Sequence, residues 1–216
     1  MSASLLSVNV GRPKVRDWAG IGRTSIEKHA VTGPVAARTR GLDGDQVSDV
    51  EHHGGVDQAV YAFAREDLDS WVVWLGQPIR AGQFGENLTT SGIDVNAAEV
   101  GERWVIGTAE LEVASVRIPC NDFKNWMGLS GYDSSSWVKR FTAIGRPGPY
   151  LRVVTEGAVQ AGDEIRVLHR PGHGVSVSMM FAALTTRRDL LPELLRVDGL
   201  VAEARENAEK YVANRV

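Results

Sequence analysis

The sequence predicts a mainly β protein: a barrel or sandwich of short strands with short flanking helices, followed by a small helical subdomain. Three observations predict it. Short runs of alternating apolar and polar residues, punctuated by glycines, fill the first 170 or so residues. Helical spacing interrupts them in only two places. After His173 the β signals stop and apolar residues cluster at helical intervals instead. At 216 residues the chain holds one domain, or a main domain with an appendage, and can form a core without disulfides.

Taken in order, Leu6, Val8 and Val10 alternate with polar residues, and Gly11 closes that strand. Ala59 to Phe63 reads as a second strand. The first helix follows, with Leu68, Trp71, Val72 and Leu75 on one face and Gly76 and Pro78 as its stop. Val100 to Val116 reads as a hairpin turning at Gly107-Thr108. Trp137 and Phe141 lie four apart behind Ser134-Ser135-Ser136, which offers an N-cap for a second helix. The aromatics of both helices are read as core rather than as ligand-stacking groups. Leu151–Val154 and Ile165–Leu168 are two further strands. Residues 1–172 then form the β domain and 173–216 a subdomain of three short helices, around Met179-Met180-Phe181, Leu190–Leu195 and Leu200–Val212. Such a tail has too little apolar material to stand alone, so it packs on the β domain or on a second subunit in a homodimer.

Composition narrows the function. Net charge is −3, which argues against generic nucleic-acid binding. No apolar run reaches the length of a membrane span, and the N-terminus lacks the pattern of a secretory signal, so a cytoplasmic protein is expected. The charge is unevenly placed. Residues 11–40 hold seven Lys or Arg against two acids, whereas residues 41–112 hold three basic against fourteen acidic residues. The basic stretch is either a solvated surface or part of a pocket for a phosphate-bearing ligand.

Four places could carry chemistry. Cys120, the sole cysteine, follows Arg117-Ile118-Pro119 at a strand end. Pro119 must end the ladder there, and a guanidinium near a thiol favours the thiolate; the alternative is a small buried hydrophobe. His52-His53-Gly54-Gly55 is either a loop presenting an imidazole and backbone N–H groups to an anion or an ordinary turn. Phe84-Gly85-Glu86-Asn87-Leu88 offers an acid and an amide, or is a strand start. Gly41-Leu42-Asp43-Gly44-Asp45 has the look of a calcium loop without the spacing of one. No P-loop, dinucleotide, nucleophile-elbow or HExxH pattern is present.

In order along the chain, these motifs, with Val100-Gly101-Glu102, Gly157-Ala158-Val159 and Ala161-Gly162-Asp163, resemble the MOSC domain. That domain is found at the C-terminus of molybdenum cofactor sulfurases, and the resemblance is to its free-standing, YiiM-like bacterial branch. Thr24–Lys28 and the helical tail are also similar to that branch. Two details depart: Ser115-Val116 precede Arg117 where the family usually has Gln-Pro, and the turn at 101–102 is Gly-Glu rather than Gly-Asp.

The resemblance implies a MOSC-type β-barrel that binds the molybdenum cofactor and reduces N-hydroxylated compounds such as hydroxylaminopurines. Pyridoxal phosphate binding is a further property associated with the family. Cys120 is then the thiolate ligand of molybdenum, with Arg117 beside it. His53, Gly54 and Gly55 line the same pocket, and protonated His53 supplies a proton. Asn87 hydrogen-bonds cofactor or substrate, and Lys28 and Arg38 hold the cofactor's phosphate. Electrons come from a separate donor protein. The competing readings are a carrier using a Cys120 persulfide, a non-enzymatic binding or scaffold barrel with an inert Cys120, and a zinc site of His52, His53 and Cys120.

Overall fold

The computed structural model describes residues 2–50 and 53–214. In chain order the strands are β1 (Ser4–Val10), β2 (Lys14–Val15), β3 (Arg23–Thr24), β4 (His29–Val31), β5 (Val35–Arg38), β6 (Gly41–Leu42), β7 (Val60–Ala64), β8 (Leu88–Ser91), β9 (Arg103–Ile106), β10 (Ala109–Val116), β11 (Pro149–Thr155), β12 (Gly157–Val159) and β13 (Ile165–His169). The helices are α1 (Arg65–Leu75), α2 (Asn121–Leu129), α3 (Trp137–Ile144), α4 (Val177–Thr185), α5 (Leu191–Leu194) and α6 (Ala202–Ala213).

Eight strands form one mixed sheet in the order β13-β9-β10-β11-β7-β8-β1-β4. The pair β7 and β8 is parallel, and α1 supplies the crossover that a parallel pair requires. The expected β-dominance holds, in a sheet-dominant fold mixed with six α-helices among the described residues. Its two ends approach where Ser4 bridges Glu164 and Leu5 N–H donates to Asp163 O at 2.8 Å. Gly162 N–H donating to Leu5 O at 2.7 Å and Ile165 N–H donating to Ala3 O at 2.9 Å extend that contact. A three-stranded sheet, β12-β5-β6, and the small pair β2-β3 lie outside it.

The hairpin β9/β10 turns at Gly107 with φ 57°. Helix α1 stops at Gly76, which is left-handed and donates its N–H to Val72 O. Before α3, Ser136 stands at the N-cap position but makes no side-chain cap bond, because its φ of 50° is left-handed. Helix α2 is an element the sequence reading passed over, although Phe123, Trp126 and Met127 stand at i, i+3 and i+4 in it.

Trp71, Trp137, Phe141, Phe123 and Phe84 are each no more than 2% exposed and pack face to edge around Phe84 at one end of the sheet. Each such burial is worth about 1.5–3 kcal/mol. The apolar residues of α4 to α6, among them Phe181, Leu191 and Ala208, belong to the same core cluster as Leu5 and Trp104 of the sheet. Among the described residues no helix is long and apolar enough to cross a membrane.

Candidate functional site

The strand pairing builds the site. In β11/β7 the register sets Tyr150 opposite Tyr61, and their rings lie 5.3 Å apart. In β10/β11, Val116 is opposite Pro149, so β10 leaves the ladder beside Tyr150. This close approach depends on Gly148: a Cβ there would lie 2.3 Å from Ala62 O. Arg117 is the first residue beyond β10, and its N–H donates to Gly148 O at 3.3 Å. Pro119 prevents further pairing, and Cys120 becomes the N-cap residue of α2. The chain therefore turns, and residues three apart face one another.

Arg117 is 7% exposed and is the hub of the cluster. Its Nη1 donates to Tyr150 Oη at 2.6 Å and to His53 Nδ1 at 3.1 Å, and its Nη2 approaches Cys120 Sγ at 3.8 Å. Burial alone would lower the guanidinium's pKa, but the Tyr150, Cys120 and Tyr61 groups around it outweigh that, and the net direction is up. The charge is permanent. Burial pushes the Tyr61 phenol well above its ordinary pKa, and its O–H is tied to Pro147 O at 2.7 Å.

A guanidinium has no acceptor, so the 3.1 Å contact makes His53 Nδ1 the acceptor and places the proton of the neutral ring on Nε2. A protonated His53 would set donor against donor and cation against cation.

These side chains line one open cavity, with about 90 Å³ of accessible space inside it. Half-buried Cys120 faces it, as do His53, Arg117, Tyr61 and Tyr150. Lys28 and Asn87 form another wall. Lys28 Nζ donates to Asp45 Oδ1 at 2.6 Å, and burial lowers its pKa against the opposing pull of Asp45. Asp45 also accepts from Gly11 N–H at 2.7 Å and from Asn87 Nδ2 at 2.9 Å. The other Asn87 N–H goes to Asn9 O at 3.2 Å, while its Oδ1 accepts from Tyr61 N–H at 3.1 Å. Asn87 thus lies on the wall with its amide committed to joining β1 to β7.

The rest of that motif is structural. Phe84 is core, and fully buried Glu86 accepts from Gly82 and Phe84 N–H and from Thr89 Oγ1, its pKa raised by burial.

Arg38 is not brought to the cavity. It is exposed on β5 and pairs with Glu156 at 3.3 Å and Asp43 at 3.7 Å. Gly54 and Gly55 flank His53 but are not part of the wall. Gly54 packs on Val50, and Gly55, with φ 97°, opens the short turn that places Gln58 on the wall. His52 lies outside the described residues.

Sequence reasoning missed Tyr61, Tyr150, Gln58 and the Ser25–Ser48 hydroxyl pair, 2.6 Å apart on the wall. Tyr150 could have been found by asking what lies opposite the predicted strand 59–63. The serines have no signal in isolation. Among the described residues no group of three His, Cys, Asp or Glu could hold a metal. A metal at Cys120 would have to arrive with other ligands of its own.

The MOSC domain family model matches residues 49–166, which includes His53, Asn87, Arg117, Cys120 and Tyr150. The uncharacterized protein YflK of Bacillus subtilis is 30% identical over 202 residues, 93% of this chain and 88% of that protein. YiiM of Escherichia coli is 26% identical over 166 residues, 76% of this chain and 72% of that protein. The crystal structure of YiiM from Geobacillus stearothermophilus superposes with a TM-score of 0.79 at 27% identity, covering 97% of this chain and 98% of that one. The family-model match over residues 49–166, and the nearly full-length likeness in sequence and fold, lead to one conclusion: the chain belongs to the MOSC domain family, as a YiiM-like member.

Proposed function

We propose that this protein is a molybdenum-cofactor-dependent reductase of N-hydroxylated compounds, with Cys120 as the one protein ligand of the metal. A single observation carries the reading: the sole thiol faces an open cavity from a helix N-terminus, with a buried guanidinium 3.8 Å from its sulfur. The donor set fits the cofactor. A dithiolene pterin brings its own sulfur ligands, so one soft thiolate suffices where a bare ion would need several side chains. Gln58, whose Oε1 is buried without a hydrogen-bond partner, belongs to the residues around the cavity.

When bound, the cofactor supplies the electron-transfer chemistry of N–O cleavage. This chain's residues do the rest. Cys120 anchors the group, and Arg117 places positive charge next to the sulfur. Arg23, on the same wall, takes over from Arg38 as a candidate for the phosphate, with Lys28 already neutralised by Asp45. The electrons come from a separate donor protein.

The test is expression in a host that makes the cofactor, followed by metal and pterin analysis and turnover of N-hydroxyadenine. About one molybdenum per chain with turnover supports the reading. Cys120→Ala should reduce turnover at least ~1,000-fold while shifting the melting temperature by less than about 3 °C. Sulfane sulfur on Cys120 without molybdenum would replace the reductase with a sulfur carrier.

A further inference from the structure

The two tyrosines of the cavity differ in what their protons do. Tyr61 donates its O–H to Pro147 O at 2.7 Å, so its proton is spent. Tyr150 receives a hydrogen bond from Arg117 Nη1 at 2.6 Å, and a guanidinium can only donate. The phenol oxygen is therefore the acceptor, and no described residue accepts the Tyr150 O–H. That oxygen lines the cavity, and the same guanidinium that holds it also reaches Cys120 Sγ at 3.8 Å.

The other polar groups of the cavity are less suited. His53 takes a hydrogen bond from Arg117 on Nδ1, which opposes a second positive charge. Asp122 is an acceptor, occupied on Oδ1 by Gly20 N–H at 2.9 Å. The Ser25 and Ser48 hydroxyls bond each other with no ion pair between them. At Tyr150 the negative charge left by a departing proton is met at once by a fixed cation.

We propose that Tyr150 is a catalytic residue, the proton donor to the oxygen that leaves the substrate, a role that rests on the reductase reading above. The balance is R–NH–OH plus two electrons and two protons giving R–NH2 and water. The N–O bond breaks, nitrogen takes one proton from solvent, and the departing oxygen takes the other from Tyr150. The electrons come from a reduced electron-transfer protein, replaced in the assay by a reduced viologen. The phenolate is held by Arg117 and reprotonated by water in the open cavity.

The experiment compares wild type, Tyr150→Phe and His53→Gln, purified from a cofactor-producing host. It measures molybdenum and pterin content, binding of N-hydroxyadenine without reductant, and steady-state turnover with reduced viologen. Tyr150→Phe should keep cofactor content and binding within about threefold and lose about 100-fold in kcat, the lower range for a general acid. His53→Gln, whose amide oxygen can still accept from Arg117, should lose less than about tenfold. Turnover by Tyr150→Phe within threefold of wild type overturns the assignment and leaves the reductase reading standing. Loss of molybdenum in Tyr150→Phe equal to that in Cys120→Ala also overturns it, by making Tyr150 a holder of the cofactor. A wild type that carries molybdenum but neither binds nor reduces N-hydroxyadenine overturns both.

Discussion

Two walls of one cavity are built on opposite principles. On the first, Lys28, Asp45, Asn87, Asn9 and Gly11 satisfy one another: each Asp45 oxygen has two donors, and both Asn87 N–H groups are spent. On the second, Arg117 gathers Tyr150, His53 and Cys120 yet keeps an unpartnered buried Nε. Beside it, Tyr150 keeps a proton that no described residue accepts. The first wall spends its polar capacity on holding β1 to β7. The second retains capacity that its internal hydrogen bonds leave unused. The difference shows why a charged residue facing a cavity is not thereby a ligand-binding residue: what remains after its internal hydrogen bonds are counted decides.

The comparison breaks first at its centres. Asp45→Ala leaves Lys28 buried without its partner and should cost about 3–5 kcal/mol, lowering the melting temperature by roughly 10 °C. Arg117→Met should cost less than about 1 kcal/mol, because the groups it leaves behind face a wet cavity, while removing most of the bound molybdenum. Thermal melts and metal analysis on both variants check the pair. If Asp45→Ala melts like wild type, or Arg117→Met unfolds as easily as Asp45→Ala, the division between the walls fails.

A smaller effect sharpens the electrostatics outside the cavity. Glu27 is held at about 2, down from 4.5, chiefly by its hydrogen bond with Lys14 and further by His29 and Arg16, against the upward pull of burial. Its folded pKa is depressed, so its contribution is present above about pH 4.5 and is lost as the pH falls towards 2. After solvent screening this is worth about 1 kcal/mol. Urea midpoints should therefore fall less steeply over that window in Glu27→Gln than in wild type. The smallest effect is expected at Arg38→Ala. Its exposed pairs with Glu156 and Asp43 are screened by solvent, so the melting temperature should stay that of wild type and cofactor content should not change. Loss of cofactor in that variant would return Arg38 to the site.

Local chemistry determined a good deal from the sequence alone. The hairpin turning at Gly107, the helix ending at Gly76 and the three helices of the tail follow from periods and punctuation within a few residues. Cys120 at a strand end, displayed by the break at Pro119, was legible for the same reason, as was its likeness to a family through ordered motifs. Helix α2 carries the same kind of signal in Phe123, Trp126 and Met127, but it follows at once on Pro119-Cys120, where the strand-end reading ended. Spacing could not show that the sheet curls until β1 meets the segment before β13, or that Arg38 points away while Tyr150 arrives from another strand. Those are long-range facts. Register between strands remote in sequence sets which side chains share a cavity, and the sum of their mutual hydrogen bonds sets which of them is left able to act on a ligand.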